Sequence, residues 1–391
     1  MNKLIFMFTF VDSIIVLAFQ LFGLNVLWSF AETGDGIWGL ALILGATSVF
    51  RALSALIRGY MVDSFQKKTT ILVSLTACGF LCIIWFLTEY FLLLAIIAYI
   101  AIEFAKEIYN SSYAALVAEK LSPNDYVKYD SVSIMASRVI AIIGNLASAV
   151  IIMLLSSNVI AILVATIFII GVIVCQKLLP KSSIENKNSP APQIRSAWAF
   201  AKENVFGDKK IITFIAIVFL LNLDYAFIPT LLPLFIITTT ELTSPLLFGI
   251  IRAGNNVGEF AASGLVLKYS HLVSRMTKIG LAGSAVVFIL LPLIYTFPIV
   301  VVIFFALYSF FDMLTQPLYS YFVSSLADDK RGRVLGIVDS IILLASPVGI
   351  LFGAFLSNLG IYQVSAGIVI VFLLSLGIVA KSEGFKGVKL M

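Results

Sequence analysis

The sequence predicts an all-α membrane protein with twelve transmembrane helices in two pseudo-symmetric six-helix bundles. Three observations support this prediction: twelve long apolar runs, basic residues confined to alternate connections, and a short sequence repeated six spans apart. With 61% hydrophobic and only 12% charged residues, the chain could not cover a water-soluble surface, whereas lipid tolerates an apolar exterior.

The apolar runs give the predicted spans. A bilayer core needs about 20 apolar residues per helix, and every run approaches or exceeds that length. No disulfide framework is expected, because all three cysteines fall inside runs. The runs cover residues 4–30, 36–58, 69–88, 92–117, 128–153, 158–178, 210–238, 246–268, 275–295, 298–323, 334–357 and 361–380.

The basic residues between the runs predict the orientation. They occur in every second connection, for example Lys67 and Lys68 after the second run and Lys330 to Arg333 after the tenth. Short loops rich in Lys and Arg remain cytoplasmic, so both termini are predicted to be cytoplasmic. The predicted location is the cell (plasma) membrane, of the bacterial inner (cytoplasmic) type. The formal net charge of +5 reflects this bias and does not indicate a nucleic-acid partner.

One long polar connection divides the chain. Residues 179–209 are rich in Pro, Ser and Asn, and Ile194, Trp198, Ala201 and Val205 follow helical spacing. This short amphipathic helix either lies along the inner membrane surface or is a plain linker helix. The predicted organisation is an N-terminal bundle over 1–178, a cytoplasmic linker over 179–209, and a C-terminal bundle with a short tail over 210–391.

The two halves resemble each other locally. The fifth span opens with the ten residues from Asp130 to Val139, and the eleventh span opens with those from Asp339 to Val348. The two segments match at five of ten positions and lie at the same membrane face. A duplicated six-helix unit explains this repeat.

A short motif of one glycine, one acid and two lysines joins the second and third spans. It reads Gly59-Tyr-Met-Val-Asp63-Ser-Phe-Gln-Lys67-Lys68. Glycine allows two helices to approach closely, and the acid can interact with the N-terminus of a neighbouring helix. The two lysines can anchor the cytoplasmic end through acidic partners or lipid phosphates.

With twelve spans around it, this motif resembles the signature loop of the major facilitator superfamily. The resemblance implies two bundles around a central cavity that opens alternately to each side of the membrane. It also implies that Gly59, Asp63, Lys67 and Lys68 form a conformational gating motif. Within the superfamily the chain looks most like bacterial drug:proton antiporters of the macrolide-efflux-like type, through the segment from Lys106 to Val117. It departs from them in span five, which carries only Gly144-Asn145, and in the second copy of the loop, where Lys268 replaces the acid.

Ionisable residues inside the spans are the candidate pathway for substrate and protons. Charges are costly in hydrocarbon and tend to face a cavity or a partner. The acids outnumber the central bases by two, which suits exchange of protons for a neutral or cationic amphipathic substrate. The acids are Asp12, Glu103, Glu107, Asp224, Glu259 and Asp312, and the bases are Arg51, Lys106, Arg138 and Arg252.

Span four contains a compact group of these charges. Glu103, Lys106 and Glu107 follow i, i+3 and i+4 spacing and share one helix face. Lys106 can neutralise one acid and leave the other able to bind a proton. The alternative is a structural ion cluster that satisfies itself.

Span eight carries a polar stripe at i, i+3, i+4 and i+7, formed by Arg252, Asn255, Asn256 and Glu259. Such a stripe is expected to line a cavity or a seam between helices. Movement of Arg252 relative to Glu259 could couple proton release to alternating access.

Further candidates lie on spans one, five, seven and ten. Asn222 and Asp224 precede Pro229 and Pro233, which can bend span seven into a gate or simply kink it. Asp12 and Asp312 could each carry a proton or be a hydrogen-bonded acid. Arg138 could contact substrate or form a structural salt bridge.

These features predict a secondary active transporter that works by alternating access, with proton-coupled efflux of small amphipathic molecules such as a drug or metabolite. The alternatives are an importer or facilitator of a small solute, or a non-transporting sensor or assembly partner. No phosphate-binding G-x-x-x-x-G-K-[ST] motif or nucleophile elbow occurs, so no enzyme activity and no cofactor or metal is expected. The predicted partners are the substrate, protons and the lipid bilayer, and the protein is predicted to be a monomer.

Overall fold

A computed structural model describes residues 3–32, 36–85, 92–181, 202–240, 242–326 and 331–382, except for some side chains within these ranges. The described residues are almost entirely helical and contain no strand. The helices are α1 (Lys3–Glu32), α2 (Gly36–Ser64), α3 (Lys67–Trp85), α4 (Leu92–Lys120), α5 (Pro123–Leu154), α6 (Ser157–Leu178), α7 (Lys209–Tyr225), α8 (Leu231–Thr239), α9 (Pro245–Tyr269), α10 (Val273–Ile294), α11 (Pro298–Met313), α12 (Pro317–Ser325), α13 (Arg331–Leu343), α14 (Ala345–Leu359) and α15 (Ile361–Lys381).

The all-α membrane fold that the sequence predicts is confirmed. Nine stretches of the described chain are long and apolar enough to cross a membrane. The other three predicted spans are α4 and α9, which carry charged residues along their length, and the seventh run, which is divided between α7 and α8. Large apolar side chains such as Leu154 and Leu267, 75% and 79% exposed, provide an exterior suited to lipid rather than water.

The chain divides into two compact units. The first comprises Met1–Gly34 and Val49–Pro192, and the second comprises Asp35–Ser48 and Gln193–Met391. The N-terminal part of α2 therefore groups with the second unit. Most of the predicted linker, residues 182–201, lies outside the described residues.

The two units repeat one packing scheme. In the first, α3 packs on α4 and α6, and α1 packs on α5 and α6. In the second, α10 packs on α11 and α15, and α7 packs on α14 and α15. When the helices are numbered by span, each of these second-unit pairs corresponds to a first-unit pair with both span numbers increased by six. The pseudo-symmetry predicted from the short repeat is thus present in the helix packing.

Three spans of the second unit contain turns where the corresponding first-unit spans are continuous. Span seven turns at residues 226–230, span ten turns at 314–316, and span eleven breaks at Leu344 between α13 and α14. The bend predicted near Pro229 and Pro233 occurs at Pro229, whereas Pro233 lies within α8. The turn in span ten directly precedes Pro317, whose ring and missing N–H disfavour a continuous helix.

Close helix contacts in the second unit depend on glycine. A Cβ atom added to Gly349 on α14 would overlap the carbonyl oxygen of Leu223 on α7, and one added to Gly258 on α9 would overlap that of Ala306 on α11. Small residues allow this backbone approach between membrane helices. The contact at Leu223 also fixes the position of the next residue, Asp224.

Candidate functional site

Four charged side chains of the first unit form one cluster. Glu103 on α4 is buried, and its carboxylate accepts from Arg51 Nη2 on α2 at 2.8 Å and from Lys106 Nζ at 2.9 Å. Arg51 Nε also lies 3.5 Å from Glu107 Oε1. Two cations therefore face two carboxylates, so the cluster is balanced when all four groups are ionised. Arg51 joins it from another helix, and spacing within span four gives no sign of that contact.

A second polar link joins α1 and α4. Tyr109 donates to Asp12 Oδ1 at 3.1 Å and stacks on Tyr113, with 5.4 Å between ring centroids. Tyr113 donates in turn to the backbone oxygen of Phe8. The carboxylate of Asp12 is thus a hydrogen-bond acceptor inside the first unit. The tyrosines were not among the predicted site residues.

The lysines of the predicted gating motif bind to the ends of other helices. Lys67 Nζ lies 2.7 Å from Glu119 Oε2 at the end of α4. Lys68 Nζ donates to the carbonyl oxygens of Gln176 and Leu179 at 2.8 and 2.5 Å. A cation at the C-terminus of α6 satisfies carbonyls that have no partner within the helix. Gly59 and Asp63 belong to α2, but their side-chain positions lie outside the described residues.

Breaking the Lys67–Glu119 pair is expected to have a small effect. Both side chains are partly exposed, and such pairs contribute about 0.2–1 kcal/mol. Thermal unfolding of Lys67→Gln, Glu119→Gln and the double variant should give a coupling energy in that range. A coupling above about 2 kcal/mol would contradict this estimate and indicate a stronger role for the pair.

In the second unit, three acids approach a buried tyrosine. Asp224, Glu259 and Asp312 all interact electrostatically with Tyr308 on α11, and Asp224 also interacts with Asp312. Asp224 is only 7% exposed, and its Oδ2 has no hydrogen-bond partner among the described residues. Acids from the predicted spans seven, eight and ten therefore lie within electrostatic range of one buried tyrosine.

The polar stripe on α9 is distributed between two neighbours. Arg252 Nη1 donates to the carbonyl oxygen of Pro229, in the turn between α7 and α8, at 3.2 Å. Asn255 is buried and accepts from Ser309 on α11 at 3.1 Å. Asn256 donates to the backbone of Arg252 at 2.8 Å. The stripe thus lies partly in a seam with α11 and supports the turn in span seven. Of the other predicted site residues, Arg138 lies half-buried on α5 in the first unit.

A polar cavity of about 270 Å³ opens beside the turn between α11 and α12. Tyr319 on α12 donates there to both carboxylate oxygens of Asp339 on α13, at 3.2 and 3.4 Å. Asp339 and Tyr319 were not predicted as site residues, although Asp339 opens the repeated segment. Asn222 and Asp312 also line this cavity, with Val218, Leu221, Tyr225, Thr315, Gln316, Leu318 and Ile342.

The family assignment rests on how much of the chain matches the family model. The model of the Major Facilitator Superfamily matches residues 4–338. The chain belongs to this superfamily. Membership makes it a multi-pass membrane transporter and not an enzyme. No curated protein matches it significantly.

Solved transporters share the major facilitator fold with this chain. The nucleoside transporter NupG aligns with a TM-score of 0.74 at 11% identity, covering 98% of this chain and 100% of that one. The human organic anion transporter MFSD10 (TETRAN) aligns with a TM-score of 0.68 at 17% identity, covering 96% and 98%. At these identities the comparison shows the fold and not the substrate.

Proposed function

We propose that this protein is a proton-coupled secondary transporter that exports small amphipathic molecules by alternating access. The observation that carries the proposal is the carboxyl pair Asp224 and Asp312, from spans seven and ten. Asp224 is buried, with one carboxylate oxygen lacking a hydrogen-bond partner in the described part of the chain, and it interacts electrostatically with Asp312.

Physical chemistry favours a proton at such a pair. An ionised carboxylate is costly within a bilayer, and two like charges in an apolar environment oppose each other, so one proton bound to either carboxyl relieves both costs. A conformational change that opens the site to water would remove them and release the proton. The pair also adjoins the turns of spans seven and ten, where such a change can occur.

The first-unit cluster is a poorer proton site. Glu103 already contacts Arg51 and Lys106 within hydrogen-bond distance, and nearby cations stabilise the ionised carboxylate. Export of amphipathic substrates is supported by the sequence resemblance to drug:proton antiporters. The acidic character of the second-unit site suits neutral or cationic molecules.

Asp224→Asn is expected to eliminate reversible protonation at this pair. The asparagine keeps the size of the side chain but cannot titrate, and it removes the charge that favours a shared proton. In pH-difference infrared spectra of the purified protein, we expect a protonated-carboxyl C=O band in the wild type that Asp224→Asn and Asp312→Asn each lose. In vesicles with an imposed pH gradient, Asp224→Asn should abolish gradient-driven accumulation of the compact permanent cation benzyltrimethylammonium while retaining its downhill exchange.

Glu203→Gln provides the matched control, since Glu203 is exposed and lies outside the spans. It should retain both the infrared band and gradient-driven flux. An unchanged carboxyl band in Asp224→Asn would contradict the assignment of the proton to this pair. Undiminished uphill flux in the same variant would contradict proton coupling through it.

A further inference from the structure

The cavity in the second unit has the shape of a ligand site built at a helix break. Its wall combines residues of α7, α13 and the turn from Leu314 to Gln316. Interrupted transmembrane helices are a common way to build a substrate site, because the break frees polar groups to face a cavity. The volume of about 270 Å³ lies just below the usual range of about 300–1,000 Å³ for ligand pockets, so the occupant must be compact.

The charge of the lining residues determines the sign of the charge expected on the ligand. Asp312 and Asp339 both line the cavity, and the lining contributes no Lys, Arg or His from the described part of the chain. Tyr319 orients Asp339 by donating to both of its oxygens. A cavity with walls of one charge concentrates the opposite charge. The rings of Tyr225 and Tyr319 add aromatic surface that attracts a cation.

We propose that this cavity binds a compact organic cation, a protonated amine carrying a small apolar group, with Asp339 as its counter-ion. The assignment rests on the proposed function, for which it names the substrate class and the substrate position. The amine would contact Asp339, hydrogen-bond to the amides and hydroxyls of Asn222, Thr315 and Gln316, and place its apolar group against Leu221 or Ile342.

This position also provides a way to couple the cation to protons. Asp312 lines the cavity and interacts with Asp224, so a bound cation favours the ionised pair and a bound proton disfavours the cation. Glu259, Tyr225 and Tyr308 belong to the same electrostatic neighbourhood. Cation and proton therefore oppose each other through Asp312, which lines the cavity beside the counter-ion Asp339 and also interacts with Asp224. Such opposition is the requirement for exchange in opposite directions.

Equilibrium binding of benzylammonium to the purified protein in nanodiscs tests the assignment, with benzyl alcohol as a neutral probe of similar size. We expect saturable benzylammonium binding and at least tenfold weaker benzyl alcohol binding. Asp339→Asn should weaken benzylammonium at least tenfold, equivalent to about 1.4 kcal/mol, and Asp339→Glu should restore part of that loss. Tyr319→Phe should weaken it less, because the carboxylate remains, and Glu203→Gln should leave it unchanged.

Three results would overturn the proposal: no saturable benzylammonium binding to the wild type, equal affinity for benzyl alcohol, or unchanged affinity in a folded Asp339→Asn variant. Size-exclusion chromatography of each variant establishes that it is folded. If Asp339→Asn does not fold, the benzylammonium affinity of Asp339→Glu provides the test instead. The test uses no gradient, so it is separable from proton coupling. Benzylammonium binding together with an unchanged infrared band in Asp224→Asn would contradict only the proton assignment. Loss of the band in Asp224→Asn without benzylammonium binding to the wild type would contradict only the cation site.

Discussion

Replacing Gly349 with alanine is expected to remove most of the folded protein from the membrane. The single added Cβ atom would overlap the carbonyl oxygen of Leu223, with the Cα of the same residue also within contact distance. Backbone cannot move aside as a side-chain end can, so α14 and α7 would have to separate. Overpacking costs about 1–3 kcal/mol even where side chains can adjust, and separating two helices would cost more.

The comparison is with Gly377→Ala on α15, where an added Cβ meets no atom within 4 Å. That variant makes the same chemical change and should be neutral or slightly stabilising, since alanine is a better helix former by up to about 1 kcal/mol. Membrane abundance and thermal unfolding in detergent provide the measurement. Equal stability of the two variants would show that α7 and α14 are not in backbone contact.

Glu103→Gln is expected to produce the second large loss of stability. It removes the carboxylate charge that both Arg51 and Lys106 contact, leaving two cations with one remaining acid in the cluster. Breaking a buried ion pair from one side costs about 3–5 kcal/mol. The side chains of Arg51 and Lys106 are 34% and 28% exposed, so a cost of about 1–3 kcal/mol is more appropriate.

Removing one cation at the same time should recover part of this loss. In Glu103→Gln combined with Lys106→Met, Arg51 can pair with Glu107 and the cluster is again neutral. Thermal unfolding of the two single variants and the double variant forms a double-mutant cycle. A double variant whose loss equals the sum of the single losses would show that the cluster does not act as an electrostatic unit.

Much of the fold could be predicted because the bilayer imposes it on the sequence. Span length, the alternation of basic connections and the match between Asp130–Val139 and Asp339–Val348 are all local patterns. The repeated packing scheme of the two units agrees with the repeat. Lys67 and Lys68 illustrate the limit: their anchoring role was predicted, but the sequence could not say that Lys68 would contact backbone carbonyls of α6.

The contacts of the candidate sites are mostly between helices, and helical spacing does not report them. Arg51 contacts Glu103, 52 residues away in the chain, and Asp224 interacts electrostatically with Asp312, 88 residues away. Asp339 was visible in the repeat but not as part of a cavity, because Tyr319 reaches it from another helix. The turns at Pro229 and before Pro317 did have a direct signal, since proline disfavours a helical residue before it.

The two units share a packing scheme but differ in the continuity of their helices. The helices α1, α4 and α5 run unbroken for 30, 29 and 32 residues, whereas their counterparts, spans seven, ten and eleven, each contain a turn. These turns lie next to Asp224, Asp312 and residues that line the cavity. Under the proposed function, a proton or a cation would therefore bind beside the points where the helices of the second unit are least continuous, and the binding event and the helix movement would be neighbours in the structure.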